Sequence, residues 1–160
     1  MKSGEVIVDM FAGVAPFSIM IAHYASPSRI YANEKNAIAV ALAKDNIKKN
    51  KVLDKVEIMQ SDAKDLPSFI SDHADRIIMN LPFRAHKYFS EALQIAKDIC
   101  NIHYYDMGSK EEVLDRLEVL EAVARDKGYV LQVGELRAIK SYSPREFYMG
   151  SDITATKQPM

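Results

Sequence analysis

A single cysteine, Cys100, stands among the 160 residues, so no disulfide can close within the chain, and the composition fits a reducing compartment, the cytoplasm. No apolar run approaches the ~20 residues of a membrane-spanning helix. Nothing at the start has the pattern of a signal peptide, and no membrane partner is expected. An excess of one charge is also lacking: 21 Lys and Arg face 22 Asp and Glu, a net charge of −1. Bulk charge therefore does not announce a nucleic-acid binder, although a small basic patch fits inside a neutral total. With no internal repeat and no linker rich in Gly, Pro or Ser, the chain reads as one unit. The four histidines, His23, His73, His86 and His103, have no metal-ligand spacing, and no metal is expected. What remains, 48% hydrophobic and 27% charged residues, is the composition of one globular domain. At this length a chain buries roughly 70% of its unfolded surface, enough to hold without staples.

Strand, turn and helix recur along it. Glu5–Met10 is a short apolar run ended by the small-residue turn Ala12-Gly13, and Pro16–Tyr24 reads as a buried helix with Pro16 in its first turn. Ile30–Glu34 predicts a second strand before a helix over Asn36–Asn50. Val56–Gln60 predicts a third, with a short helix after Asp62. Arg76–Asn80 predicts a fourth, stopped by Leu81-Pro82 and followed by an amphipathic helix over His86–Ile99. Asn101–Tyr105 predicts a fifth, and Ser109 with Glu112 is a capping-box signal for a long helix closing at Gly128. Two strand-like runs, Tyr129–Ile139 and Glu146–Ala155, end the chain, joined by Ser141–Arg145. This alternation predicts an α/β fold with a mostly parallel sheet, and the last two runs an antiparallel C-terminal hairpin.

Ligands of such sheets bind beyond the carboxyl ends of the strands, where strand order reverses. The turn after the first strand, Asp9-Met-Phe-Ala-Gly-Val-Ala-Pro-Phe17, is not the G-x-G-x-x-G of dinucleotide sites, since Gly13 is its only glycine. Asp9 would repel a pyrophosphate but suits a ligand with positive groups; S-adenosylmethionine, with an ammonium and a sulfonium, is the obvious candidate. A plain tight turn is the other reading. Glu34 lies 21 positions past Gly13, the place of an acid that takes ribose hydroxyls. Asp62 suits an adenine amino group, or the N-cap of the helix after it, or both. Asn80-Leu-Pro-Phe83 is the sharpest feature: Pro82 sets backbone direction, the Asn80 amide offers an acceptor and two donors, and Phe83 offers a stacking face. Arg84, His86 and Lys87 follow it and suit phosphate contact, as does Arg145 after Ser-Pro; plain solubility explains them as well. His103, between apolar neighbours, is expected to be a satisfied strand residue.

Val8–Ser18, Ile30–Glu34, Ile78–Pro82 with His86, Ile102–Tyr105 and Ser141–Glu146 together resemble the archaeal and eukaryotic tRNA (guanine-37-N1)-methyltransferase family, Trm5, over Glu5 to Ile153. The resemblance implies a class I, Rossmann-like S-adenosylmethionine-dependent methyltransferase fold, with N1 of guanosine 37 of tRNA as acceptor. It implies cofactor binding by Asp9, Phe11, Ala12, Gly13, Glu34, Lys35, Asp62, Ala63 and Asn80, catalysis at Asn80 and Pro82, and tRNA contact by Phe83, Arg84, His86, Lys87 and Arg145. The family has glycine where Ala15 stands, so a methyl group is expected to narrow the cofactor pocket. The family's enzymes also carry N-terminal domains supplying a catalytic Arg and Glu. This chain starts almost at the first strand and is expected to be the catalytic domain alone, residues 1–160, binding cofactor but methylating tRNA weakly because no strand-end residue serves as general base. Transfer of an aminocarboxypropyl group from the same cofactor, in wybutosine synthesis, is the nearest alternative; a non-catalytic RNA-binding module on the same fold is another.

Overall fold

The computed structural model describes residues 1–159. Its elements in chain order are β1 (Val6–Asp9), α1 (Pro16–Tyr24), β2 (Arg29–Glu34), α2 (Ala37–Lys49), β3 (Val56–Gln60), α3 (Leu66–Phe69), β4 (Ala74–Asn80), α4 (Phe89–Gln94), β5 (Ala96–Gly108), α5 (Lys110–Asp126), β6 (Tyr129–Val133), β7 (Arg137–Ser141) and β8 (Phe147–Lys157). They build one sheet of order β3-β2-β1-β4-β5-β8-β6, with β7 also paired to β8. The pairs among β1 to β5 are parallel, and β8 runs antiparallel to β5, β6 and β7.

Successive residues of the central strands enter two separate cores, as strand alternation requires. Ile7, Ile30, Ala32 and Ile78 pack with Ile21, Ala22, Ala43 and Ile47 of α1 and α2. Val8, Ile77, Met79, Ile102 and Tyr104 pack on the other face with Phe89 and Leu93 of α4 and Leu117 and Leu120 of α5. Burial on both faces explains why these strands read as continuous apolar runs. The helices start where side chains satisfy their free N–H groups. Asn36 Oδ1 accepts from Ile38 and Ala39, and Ser109 with Glu112 forms the expected capping box.

Two boundaries differ from the sequence reading. The helix expected over His86–Ile99 is a 3₁₀ turn at Ala85–Tyr88 followed by α4, which stops at Gln94. The residues after it join β5: Ala96 pairs with Ala74, and Ile99 with Thr156. Pairing with two neighbouring strands satisfies backbone groups that an exposed last helical turn would leave to water, and it overrides helical periodicity. The run Tyr129–Ile139 is not one strand, because the chain breaks between β6 and β7 while both stay on the same edge of β8. Gly134 sits at the break, its N–H donating to the Asp152 carbonyl at 2.8 Å. A Cβ there would lie 2.8 Å from that same oxygen, so the close approach requires glycine. The expected hairpin is β7–β8, closed by the Tyr142 N–H to the Glu146 carbonyl.

Because β1 has β2 on one side and β4 on the other, strand order reverses between β1 and β4. The carboxyl ends of those strands, Asp9 and Asn80, flank the crevice where ligands of such sheets bind.

Candidate active site

A cavity of about 310 Å³ opens at this crevice. Phe11 comes to its wall from the turn after β1, Glu34 and Lys35 from the end of β2, Asp62 and Ala63 from the turn after β3, and Asn80 from the end of β4, with Arg84 at the rim. Seven of the residues named from the sequence are thus brought together from four separate turns. The chain also holds a larger groove, about 610 Å³, but it lies over α1, the chain start and the faces of β4 and β5, away from the carboxylates.

Two backbone N–H groups hold the Glu34 carboxylate. Its Oε2 accepts from the Gly13 N–H at 3.0 Å and its Oε1 from the Asn36 N–H at 2.7 Å. Each oxygen keeps a further lone pair, and together these can take the two hydroxyls of a ribose. Gly13 therefore acts through its backbone, holding the carboxylate in place, and does not itself line the cavity. Asp62 caps the 3₁₀ turn after it by accepting from the Lys64 N–H, and its Oδ2 receives Lys35 Nζ at 2.7 Å. The Lys35 ammonium, with the Lys64 N–H, holds the Asp62 carboxyl below the usual range. Both readings of Asp62, cap and ligand acceptor, are compatible, because an adenine amine can share a carboxylate that still has free lone pairs. Part of the wall is aromatic, with Phe11 and Tyr88 meeting edge to face at 5.2 Å. The lining suits an adenosine: carboxylates to accept from the diol and the amine, and an aromatic pair for the base.

Several assignments change. Asp9 does not line the cavity: its side chain points with Ile7 toward α1, is fully buried, and accepts from Ser18 Oγ at 3.0 Å, leaving Oδ1 without a partner among the described residues. Loss of water pushes its pKa up to about 6, against the pull of the Ser18 hydrogen bond. Ala12 is buried, donates its N–H to the Asn33 carbonyl and so fastens the turn, and it does not line the cavity. Ala15 does not narrow the pocket. It takes the left-handed conformation (φ 65°) that explains the family's glycine, but its methyl is buried in the core under α1. Pro82 shapes the turn, yet the Leu81 carbonyl accepts from the Arg84 and Ala85 N–H groups and is not offered to a ligand. His86 turns inward: its Nδ1 is buried without a partner among the described residues, and desolvation holds its pKa below the ordinary histidine value. It leaves Arg84 and Lys87 exposed without it. Phe83 is exposed at 54% and held at φ 67°, a strained conformation for a bulky residue beside the cavity. Arg145 is exposed in the β7–β8 turn, at the same edge of the sheet as Asn80. His103 is a satisfied strand residue, between Arg76 and Asp152.

Sequence reasoning passed over three contributors. Buried Asn33 donates to the Met10 carbonyl and accepts from Ser61 Oγ at 2.6 Å, tying the three strand ends together. Tyr88 supplies part of the wall. Tyr148 Oη donates to Asn80 Oδ1 at 2.6 Å, from 68 positions away. Asn33 and Ser61 stand at strand ends, a position that could have pointed to them; Tyr88 and Tyr148 carry no local signal.

The strand order with its one reversed strand, and the cavity at the β1–β4 switch point, define a class I methyltransferase fold. Comparison with known proteins gives the family: the model of the TRM5/TYW2 methyltransferase domain matches residues 1–132, and the chain belongs to that family. It is 36% identical over 152 residues to the tRNA(Phe) (4-demethylwyosine(37)-C(7)) aminocarboxypropyltransferase of Methanocaldococcus jannaschii, covering 94% of this chain and 60% of that protein. It is 38% identical over 152 residues to the tRNA (guanine(37)-N(1))-methyltransferase Trm5b of Pyrococcus abyssi, covering 94% of this chain and 44% of that protein. The crystal structure of M. jannaschii TYW2 in complex with AdoMet superposes with a TM-score of 0.89 at 34% identity, covering 98% of this chain and 71% of that one. The chain thus spans about half the length of the curated relatives it matches.

Proposed function

We propose that this chain is the catalytic domain of a cytoplasmic tRNA methyltransferase that binds S-adenosylmethionine and directs its methyl group to N1 of guanosine 37. The observation that carries this reading is one cavity lined by Glu34, Asp62 and Asn80 together, a space that cofactor and acceptor base can share. S-adenosylmethionine, when bound, supplies an electrophilic methyl on a sulfonium with a good leaving group. The protein's task is then alignment, worth up to about 7–11 kcal/mol in favourable cases. Glu34 holds the ribose, Asp62 the adenine amine, Phe11 and Tyr88 pack the apolar faces, and Asn80 faces the target base. Phe83 stacks on RNA, while Arg84, Lys87 and Arg145 meet phosphates along one edge. N1 of guanine carries a proton at neutral pH, and its removal needs a base. The carboxylates at the cavity, Glu34 and Asp62, are committed to the cofactor end, so in this reading the base comes from outside the cavity wall and the 160-residue chain alone turns over slowly.

The similarity to the aminocarboxypropyltransferase favours a second reading, transfer of the larger group of the same cofactor. Titration with S-adenosylhomocysteine beside NAD tests the cofactor, and the mass gained by tRNA after incubation with S-adenosylmethionine separates the two transfers. Binding of S-adenosylhomocysteine and not NAD, with a gain of one methyl, is the expected result. NAD binding in its place overturns both readings.

A further inference from the structure

Asn80 is half-buried at the end of β4 with its amide at the cavity wall. A carboxamide there presents either an acceptor or two donors, and rotation by a half-turn exchanges them. Tyr148, on β8, biases that choice, because turning the amide over would take away the acceptor its hydroxyl proton now has. Its Oη lies 2.6 Å from Asn80 Oδ1, and the phenol can only donate to a carbonyl oxygen. Burial pushes the Tyr148 hydroxyl above its ordinary value, so it keeps that proton at neutral pH. The ring is itself fixed, stacked on Tyr105 at 5.8 Å, and Tyr105 on Phe17 at 6.0 Å, an aromatic row linking β8, β5 and α1.

We infer that Tyr148 is a positioning residue that locks the Asn80 amide with its NH₂ toward the cavity, making the site select a base with a ring carbonyl acceptor over one with an amino group at that place. The inference rests on the proposed tRNA reading and deepens it. Guanine offers O6 as an acceptor where adenine offers an N6 donor, so a fixed NH₂ bonds the first and opposes the second. As N1 loses its proton, charge spreads onto O6, and the same donors strengthen in the transition state.

The test is the full chain saturated with S-adenosylhomocysteine, titrated with an anticodon stem–loop RNA carrying G or A at the position 3′ of the anticodon, for wild type, Tyr148→Phe and Asn80→Asp. Tyr148→Phe keeps the aromatic row and removes only the hydroxyl. Expected are a preference of the wild type for G, a fall in that preference of roughly tenfold in Tyr148→Phe, and S-adenosylhomocysteine affinity within about twofold of wild type. Asn80→Asp retains an acceptor for Tyr148 but no NH₂, and should lose the preference as well, an outcome a purely structural role for the tyrosine does not give. A wild type that prefers G with a Tyr148→Phe variant that keeps the full ratio overturns the inference and leaves the tRNA reading intact. A wild type that binds cofactor yet shows no preference overturns both.

Discussion

Replacing Glu34 with alanine should separate its two duties, to the ligand and to the fold. The carboxylate offers two charge-assisted acceptors to a ribose diol, each worth about 1.5–3 kcal/mol. Glu34 is only half-buried, and water regains part of that sum, so a net loss of about 2–3 kcal/mol is expected, a rise of roughly 30–150-fold in Kd for S-adenosylhomocysteine. The fold loses as well, because the Gly13 and Asn36 N–H groups both give up their acceptor. Each costs about 1 kcal/mol where water can partly replace it. Glu34→Gln, keeping one acceptor oxygen of the same shape, should fall between. Calorimetry with S-adenosylhomocysteine and with its 2′-deoxy analogue distinguishes the duties. In the wild type, deleting the hydroxyl should weaken binding about tenfold. In Glu34→Ala it should matter little, since the partner is already gone. If the analogue loses the same factor in both proteins, Glu34 does not hold the ribose, and the assignment of the cavity falls with it.

Two further perturbations test the turns around it. Asp9 is protonated more readily in the folded than in the unfolded chain, so its burial costs nothing below about pH 4 and the full amount once pH has risen through about 6. A shift of roughly two units corresponds to about 3 kcal/mol, so Asp9→Asn should match wild type at pH 4 and exceed it by up to that figure at pH 8 in urea unfolding; a difference that does not grow with pH refutes the buried-charge account. Phe83→Gly relieves a left-handed backbone costing ~1–2 kcal/mol, offset by ~0.4–1 kcal/mol of unfolded-state entropy. Its melting temperature should rise by a few degrees while affinity for RNA drops with the lost stacking face, and a lower melting temperature would show that the turn bears no strain.

What the sequence determined was everything carried by short-range pattern. The apolar runs and caps gave alternating strands and helices, and the polar residues at their ends, Glu34, Asp62 and Asn80, were legible because ligands of this kind of sheet meet strand termini. Turn chemistry and periodicity act within a few residues, so one strand-turn-helix unit at a time carries the signal. The tertiary structure decided which way those ends face and what meets them. Strand alternation turned Asp9 under α1 to Ser18, while its neighbours Val8 and Met10 entered the other core. Cross-strand pairing took Ala96–Ile99 from the helix into β5. The β5–β8 register set Tyr148 beside Met107, within reach of Asn80 across 68 positions of chain. Register between distant segments is fixed by the summed burial and hydrogen bonding of the whole sheet, and no local stretch of residues encodes that sum.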